Sequence, residues 1–377
     1  TTTTTTTTRA SSSSSASIAD FPEEMRAACE AVRLASALCA STQDALLRTD
    51  ATSKSDDSPV TAADFAAQAI VSVVLAATCP SIALVAEETA DALRADADGA
   101  RLLARVTHLV NETLRGEAGA SCACGGGALT ANAVADAIDR GAAAPSRRGD
   151  VWILDPIDGT KGFVNGRQYA VALALMRDGE IVGGVLGCPN LPRRAIPRTE
   201  TKIQTCDRGD GGVMFAAFKG LGCFAMPLRD ADAAVRYDAA TRCATNGDVV
   251  DGAGARYAES WGDSIVADHA RTNALASSLG ITTAGLQTDS MAKYGVVARG
   301  DAELYLRFPP AAYREKVWDH AAGYAVVVEA GGVMTDAGGN ALDFASGRFL
   351  DVEKGIVASA SPELHAKVLA ALAAEDE

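Results

Sequence analysis

The stretch Val151-Trp152-Ile153-Leu154-Asp155-Pro156-Ile157-Asp158-Gly159-Thr160 decides how this chain is read. Four apolar residues in a row predict a buried strand, since a strand covered on both faces has no polar side to show. The run then breaks into two carboxylates, a proline, a glycine and a threonine. Pro156 fixes its own φ and Gly159 permits a sharp turn, so covalent geometry specifies much of the loop. Asp155 and Asp158 can converge on one point in space. Carboxylates this close repel unless a cation neutralises them, and hard oxygen ligands suit Mg²⁺. Thr160 offers a hydroxyl beside that cation. The competing reading is a strand followed by an ordinary polar turn, where Asp, Gly and Pro are common.

The remaining chain bounds the choice. Its 377 residues predict two domains or one large two-part unit, and a hydrophobic content of 48% supplies sizeable cores. No apolar run is read as reaching the roughly 18–20 residues that span a bilayer, so a soluble intracellular protein without membrane partners is expected. A formal charge of −14 argues against nucleic-acid binding, which depends on neutralising phosphates. It leaves room for a small anionic substrate if metal ions reverse the local field. No obligate protein partner is implied. The nine cysteines are odd in number and scattered, unlike a disulfide framework, and read as small buried hydrophobes in a reducing compartment. Cys122 and Cys124 lack a second ligand pair at zinc spacing.

Thr1–Thr8 and Ser11–Ser15 are hydroxyl-rich tracts that cannot form a core. Residues 1–19 therefore read as a plain disordered tail of a cytoplasmic protein, or as the remnant of a plastid or mitochondrial transit peptide. Structure is expected from Asp20, which can cap a helix carrying Met25, Cys29, Val32, Ala35 and Cys39 on one face. Ser58-Pro59-Val60-Thr61-Ala62-Ala63-Asp64 resembles a capping box with Asp64 in the first turn of a helix, where an acid complements the helix dipole whether or not it is catalytic. Ile82–Ala86 is a short strand that ends in Glu87-Glu88. Helices follow near Leu102–Leu114 and Asn132–Ile138, with Gly125-Gly126-Gly127 as a linker, since it lacks the Lys-Ser/Thr of a phosphate loop.

Tyr169–Met176 and Ile181–Leu186 form a hairpin through Asp178-Gly179, and Val213–Phe218 with Cys223–Met226 form another. Residues 193–211 read as a mobile surface loop. These strands predict an antiparallel sheet for a first domain over 20–230. The polar stretch 229–258 reads as a junction. A helix at about 264–279 and alternating strands and helices then predict a smaller α/β domain over 231–377. Within it Trp318-Asp319-His320-Ala321-Ala322-Gly323 opens a helix, with small residues that allow close backbone approach, and Ala330-Gly331-Gly332 ends it.

Together these pieces resemble the lithium-sensitive, magnesium-dependent phosphatases of the inositol monophosphatase superfamily. Its signature is Glu-Glu, then Asp-Pro-Ile/Leu-Asp-Gly-Thr, then Trp-Asp-x-Ala-Gly. Here the blocks are Glu87-Glu88, Asp155–Thr160 and Trp318–Gly323, over more than 200 residues, with one extra alanine in the last. Within the superfamily the chain looks like the 3′(2′),5′-bisphosphate nucleotidases, on Ser58–Asp64, Gly159–Phe163, Gln168–Leu173, Gly184–Asn190, Asp289–Tyr294 and Tyr313–His320. The resemblance implies an α+β fold, an αβαβα sandwich, over about residues 20–370. It makes Glu87, Asp155, Asp158, Asp319 and the Ile157 carbonyl ligands of two or three Mg²⁺ ions. Asp64 would accept the Thr160 hydroxyl proton, and Thr160 would accept from the attacking water, because threonine has no useful basicity of its own.

The same resemblance places the phosphorylated nucleotide against Gly159, Thr160, His269, Ser290, Lys293, Arg307 and Asp319. Outside that context Ser290, Lys293 and Arg307 are a turn serine, a surface lysine and a strand-end arginine. One departure stands out. The family usually carries His-Ser-x-His where this chain has Val266-Ala267-Asp268-His269, so one imidazole contact is missing. The implied activity is hydrolysis of adenosine 3′,5′-bisphosphate to AMP, with 3′-phosphoadenylyl sulfate and inositol 1,4-bisphosphate as further substrates. An inositol or sugar phosphate is the alternative within the fold. A non-catalytic nucleotide sensor is the alternative outside it, disfavoured because the catalytic set is complete.

Overall fold

The computed structural model describes residues 16–48, 59–116, 127–203, 210–229, 234–262, 264, 267–352 and 354–375. Calls on residues 1–15, on Ser58, on Cys122, Cys124, Gly125 and Gly126, on 204–209 of the expected loop and on Val266 lie outside these. Ordered structure is already present before Asp20. Ser17 and Asp20 cap each other around the single turn Ile18–Asp20, and Ile18 is buried. Asp20 thus closes this turn rather than capping α1 (Glu23–Arg48). Helix α2 (Pro59–Thr78) starts with proline at its first position, where the missing N–H costs nothing. Asp64 is therefore the helix's sixth residue, not a member of its first turn. From Val60 to Thr78 this helix is long and apolar enough to cross a membrane, contrary to the expectation from sequence, but 67% of it is buried inside the protein. Its apolarity matches a core helix packed on α1.

The first sheet holds β1 (Ala83–Ala86), β2 (Asp150–Asp158), β3 (Ala170–Arg177), β4 (Glu180–Cys188), β5 (Val213–Phe218), β6 (Gly222–Pro227) and β7 (Thr241–Arg242), in chain order. All neighbours are antiparallel except β1 and β2, which are parallel, so the sheet is mixed rather than antiparallel. The cause is the helical crossover between them: α3 (Asp91–Ala95), α4 (Ala97–Arg115) and α5 (Ala131–Asp139) carry the chain back to the same end. At the β3–β4 hairpin both Asp178 (φ 50°) and Gly179 (φ 88°) are left-handed, as a two-residue turn of matching twist requires. After β2 comes the short helix α6 (Thr160–Val164).

The second sheet holds β8 (Tyr257–Glu259), β9 (Leu286–Gln287), β10 (Leu304–Arg307), β11 (Val333–Asp336) and β12 (Ile356–Ser359), in the order β11-β12-β10-β8-β9. With it go α7 (His269–Ser278, capped by Asp268 and shorter than expected), α8 (Ala292–Ala298), α9 (Ala321–Glu329) and α10 (Pro362–Ala374). Alternation along β2 shows the layering. Trp152 and Leu154 pack on α1, α2, α4 and α5, whereas Val151 and Ile153 face α8, α9 and one side of the second sheet. Leu304, Leu306 and Val357 turn to the opposite side, against α7 and α10. Five layers result, helix–sheet–helix–sheet–helix, with both sheets buried on both faces.

The chain leaves the first sheet after Arg242 and enters the second at Tyr257. One segment crosses earlier. Gln287 donates to Thr201 and accepts from Ile203, so residues 201–203 add themselves to the edge of the second sheet beside β9. The described part of the loop expected to be mobile, 193–203, is anchored there. The fully buried guanidinium of Arg256 gathers the carbonyls of Ile196, Pro197 and Glu200, and Ile196 and Ile203 are buried. Helix α9 ends as expected: Gly331 (φ 99°) and Gly332 donate to Val328 and Val327, closing a Schellman motif.

Candidate active site

Both acidic motifs lie at the same end of the first sheet because β1 and β2 are parallel neighbours. Gln68 of α2 holds the β1 exit through the backbone N–H and C=O of Glu88. On β2 the pairing with β3 runs Asp155 to Ala172 and then Asp158 to Ala170, three residues against two. That bulge is what lets Asp155 and Asp158 face the same way, since residues three apart on a regular strand point to opposite faces. Gly159 then turns with φ 86°. A Cβ there would lie 2.8 Å from Cβ of Ser290, itself at φ 67°, so the loop after β2 and the start of α8 meet through a left-handed pair of residues. Met291 N–H donates to Asp158, tying the N-terminal end of α8 to the loop.

The opposite wall is built around Arg307 at the end of β10. It grips Glu315 through two bonds of 2.6 and 2.8 Å. Glu315 also takes His320 Nε2 at 2.9 Å, and His320 Nδ1 meets the Tyr294 hydroxyl at 2.7 Å. Glu315 accepts from Nε2, so that nitrogen carries the proton. The small residues of α9 permit this contact, because a Cβ on Gly323 would sit 2.1 Å from the Tyr294 ring. Asp319 ends the turn before α9, 3.9 Å from Arg307 and 3.4 Å from the Tyr313 hydroxyl. Lys316 crosses the cleft to Glu87 at 2.6 Å. Between the walls lies a cavity of about 340 Å³.

The two walls differ electrostatically. Burial, then the charges of Glu87, Asp158, Asp319 and Asp64, holds the Asp155 carboxyl well above the usual range. Burial with Glu88 and Glu87 does the same to Asp64. Burial raises Glu88 to about 7 and Asp319 to about 6. Oδ1 of Asp155 is buried without any hydrogen-bond partner. A crowd of desolvated carboxylates with an orphaned oxygen suits a divalent cation. The cluster Glu315, Asp319 and His320 has ligand atoms within 4.8 Å of one another, but Glu315 is already satisfied by Arg307 and His320. Although burial alone would raise it, His320 and Arg307 bring Glu315 down to about 2. Among the described residues Asp319 has only longer contacts, to Tyr313 and Arg307, and its charge bears on Asp155 and Asp158.

Of the residues singled out in the sequence, Glu87, Asp155, Ile157, Asp158, Gly159, Thr160, Ser290, Lys293, Arg307 and Asp319 all line the cavity. Two do not. Asp64 lies behind it on α2, and the Thr160 hydroxyl points to the Ile157 carbonyl at 3.5 Å, so no Asp64–Thr160 bond is present. His269 sits outside the lining, bridging Glu259 at 2.9 Å and the Trp261 carbonyl at 3.1 Å. It stands behind Ser260, which does line the cavity. Lys293 is buried rather than on the surface, and burial lowers it to about 8. Sequence reasoning assigned no role to Tyr313, Lys316 or Asp289, which also line the cavity. The one available signal for Lys316 was its place two residues before Trp318-Asp319.

Several solved structures share this architecture. CysQ from Bacteroides thetaiotaomicron superimposes with a TM-score of 0.56 at 20% identity, covering 91% of this chain and 99% of that one. Mycobacterium tuberculosis SuhB gives 0.55 at 19% identity, over 94% and 98%. The layered fold and its acidic cleft thus define a class, a two-sheet sandwich with a site able to hold metal between the sheets. More narrowly, the sequence profile of the inositol monophosphatase family matches residues 22–377, and the chain belongs to that family. Its similar relatives include a 3′(2′),5′-bisphosphate nucleotidase of Oryza sativa, 41% identical over 344 residues, 90% of each chain. Another with the same name, from Emericella nidulans, is 42% identical over 81% of this chain and 86% of that protein.

Proposed function

We propose that the protein is a Mg²⁺-dependent nucleotidase that removes the 3′-phosphate of adenosine 3′,5′-bisphosphate and leaves AMP. The observation that carries this reading is identity near 41% to nucleotidases of that name across 90% of the chain. The lining of the cleft supports it, since Lys293 and Arg307 stand beside the carboxylates in one cavity. Glu87, Asp155, Asp158, Asp319 and the Ile157 carbonyl would hold the cations. Bound there, divalent cations offset the repulsion between a phosphate dianion and incoming water and stabilise the leaving oxygen.

The protein's own groups do the rest. Thr160 Oγ1 turns from the Ile157 carbonyl toward Asp64, gives its proton to that carboxylate and accepts one from the attacking water. Ser290, Lys293 and Arg307 seat the nucleotide, the two cations being suited to its 5′-phosphate. Phosphate release from adenosine 3′,5′-bisphosphate, 3′-phosphoadenylyl sulfate and inositol 1,4-bisphosphate at equal concentration tests the reading, with and without Mg²⁺ and Li⁺. Fastest turnover of the first, lost on chelation and suppressed by Li⁺, is expected. Turnover indifferent to chelation would end the proposal, and preference for the inositol phosphate would move the substrate class.

A further inference from the structure

A second cavity, of about 520 Å³, opens at the far edge of the first sheet, lined among others by Arg193, Val213, Pro227, Thr241, Cys243 and Arg299. It plays no part in the proposed phosphatase chemistry. Cys243 follows β7 directly. Phe224 pairs with Arg242 across β6 and β7, so Cys223 stands opposite Cys243, and the Cys243 N–H donates to the Cys223 carbonyl at 2.8 Å. Hydrogen-bonded residues facing each other on antiparallel strands have Cα atoms ~5.5 Å apart. That lies within the span of about 4.4–6.8 Å that a disulfide bridges without moving the backbone. The two residues differ in access: Cys223 is 0% exposed and absent from the cavity wall, whereas Cys243 is 6% exposed and forms part of it.

We propose that Cys243 and Cys223 form a reactive dithiol, reached through this cavity, which small disulfides convert into a cross-strand disulfide. The order of events follows from access. The Cys243 sulfur attacks one sulfur of the reagent, breaking its S–S bond and releasing one thiol, and a mixed disulfide remains. Cys223, buried against it, then attacks the Cys243 sulfur, loses its proton to solvent and expels the second thiol. One reagent disulfide is reduced to two thiols while two protein thiols are oxidised to one disulfide. The electrostatics agree with this order. The Cys223 thiol donates a hydrogen bond to Cys243 and lowers its pKa against the effect of burial, and Arg299 adds to the lowering. Every other described cysteine is shifted upward by burial. The thiolate is the attacking form, so Cys243 is the nucleophile of the pair. Arg193 and Arg299 also line the cavity, each paired with its own carboxylate, Asp210 and Asp301.

The full-length folded protein, treated with oxidised glutathione and mapped by peptide mass, tests this. Wild type should yield a peptide joined through Cys223–Cys243 and no retained glutathione there. Cys223→Ser should instead hold glutathione on Cys243, and Cys243→Ser should leave Cys223 unmodified. Half-exposed Cys79, whose thiol burial raises in pKa, should react more slowly than Cys243. Reaction at Cys79 ahead of Cys243 would overturn the proposal. So would glutathione retained on Cys243 in wild type, or labelling of Cys223 when Cys243 is absent.

Discussion

The cleft is walled by two regions of similar polarity but opposite electrostatic condition. In the first-sheet wall Asp155 and Asp158, and behind it Asp64 and Glu88, are all shifted upward, and one oxygen of Asp155 has no partner. On the second-sheet wall Arg307, Glu315, His320 and Tyr294 satisfy one another in a chain, and Glu315 is held down at about 2. The first holds more carboxylate than Lys316 and the Met291 N–H offset; the second is matched within itself. A wall that carries its own counter-charges can keep its shape while ligands come and go. A wall short of them has the charge that suits a divalent cation.

Breaking each wall should therefore have opposite effects on stability. Arg307→Met strands the buried Glu315 carboxylate and should cost about 3–5 kcal/mol in a denaturation midpoint measurement. Asp155→Asn removes a desolvated charge and should leave the cation-free protein as stable as wild type or more so, while abolishing phosphate release. A loss of stability in Asp155→Asn would contradict the contrast. Next in size, Asp64→Asn or Thr160→Ala should lower kcat by roughly two orders of magnitude or more with folding intact. Near-wild-type turnover in either would refute their paired role.

The pH dependence of the cation-free protein sharpens the comparison further. Glu88, raised to about 7, and Asp319, raised to about 6, keep protons in the folded state that an unfolded chain loses near pH ~4. Folding is thus fully favoured by these groups below that value and loses their contribution as pH climbs toward 7. Thermal melts with the cations removed should fall over this window, and saturating Mg²⁺ should flatten the slope. The smallest expected effect is at His269. Its loss breaks contacts to Glu259 and to the Trp261 carbonyl but none in the cavity, so His269→Gln should raise KM several-fold, the equivalent of about 0.5–1.5 kcal/mol, and spare kcat. A large fall in kcat would place the imidazole nearer the chemistry.

What could be read from the sequence divides along the same line. The first wall is written locally: strands that end in carboxylates, with Pro156 and Gly159 setting the turn between them. Chain neighbours make that wall, so neighbouring residues reveal it. The second wall joins residues 294, 307, 315 and 320, whose spacing follows no helical or strand period, and only the finished sheet brings them together. Asp64 was misplaced because two helix-start signals compete there, a capping box at Thr61 and a proline at 59, and the proline begins the helix. The polar loop after Pro192 looked mobile because its anchor, Arg256, is some sixty residues away in the chain. The parallel β1–β2 pair was missed for a related reason: strand direction depends on the crossover, and the strands themselves carry no mark of it.

The three residues 201–203 that join the second sheet bear on how this molecule can be divided. They belong, by chain order, to the connection between β4 and β5, yet they cover the outer edge of β9. Cutting the protein near residue 231 would not yield two modules. It would leave the C-terminal part with a bare strand edge, open to pairing with another copy. Moving the second sheet to another scaffold would accordingly require carrying the segment up to residue 203 with it, as one inheritable piece.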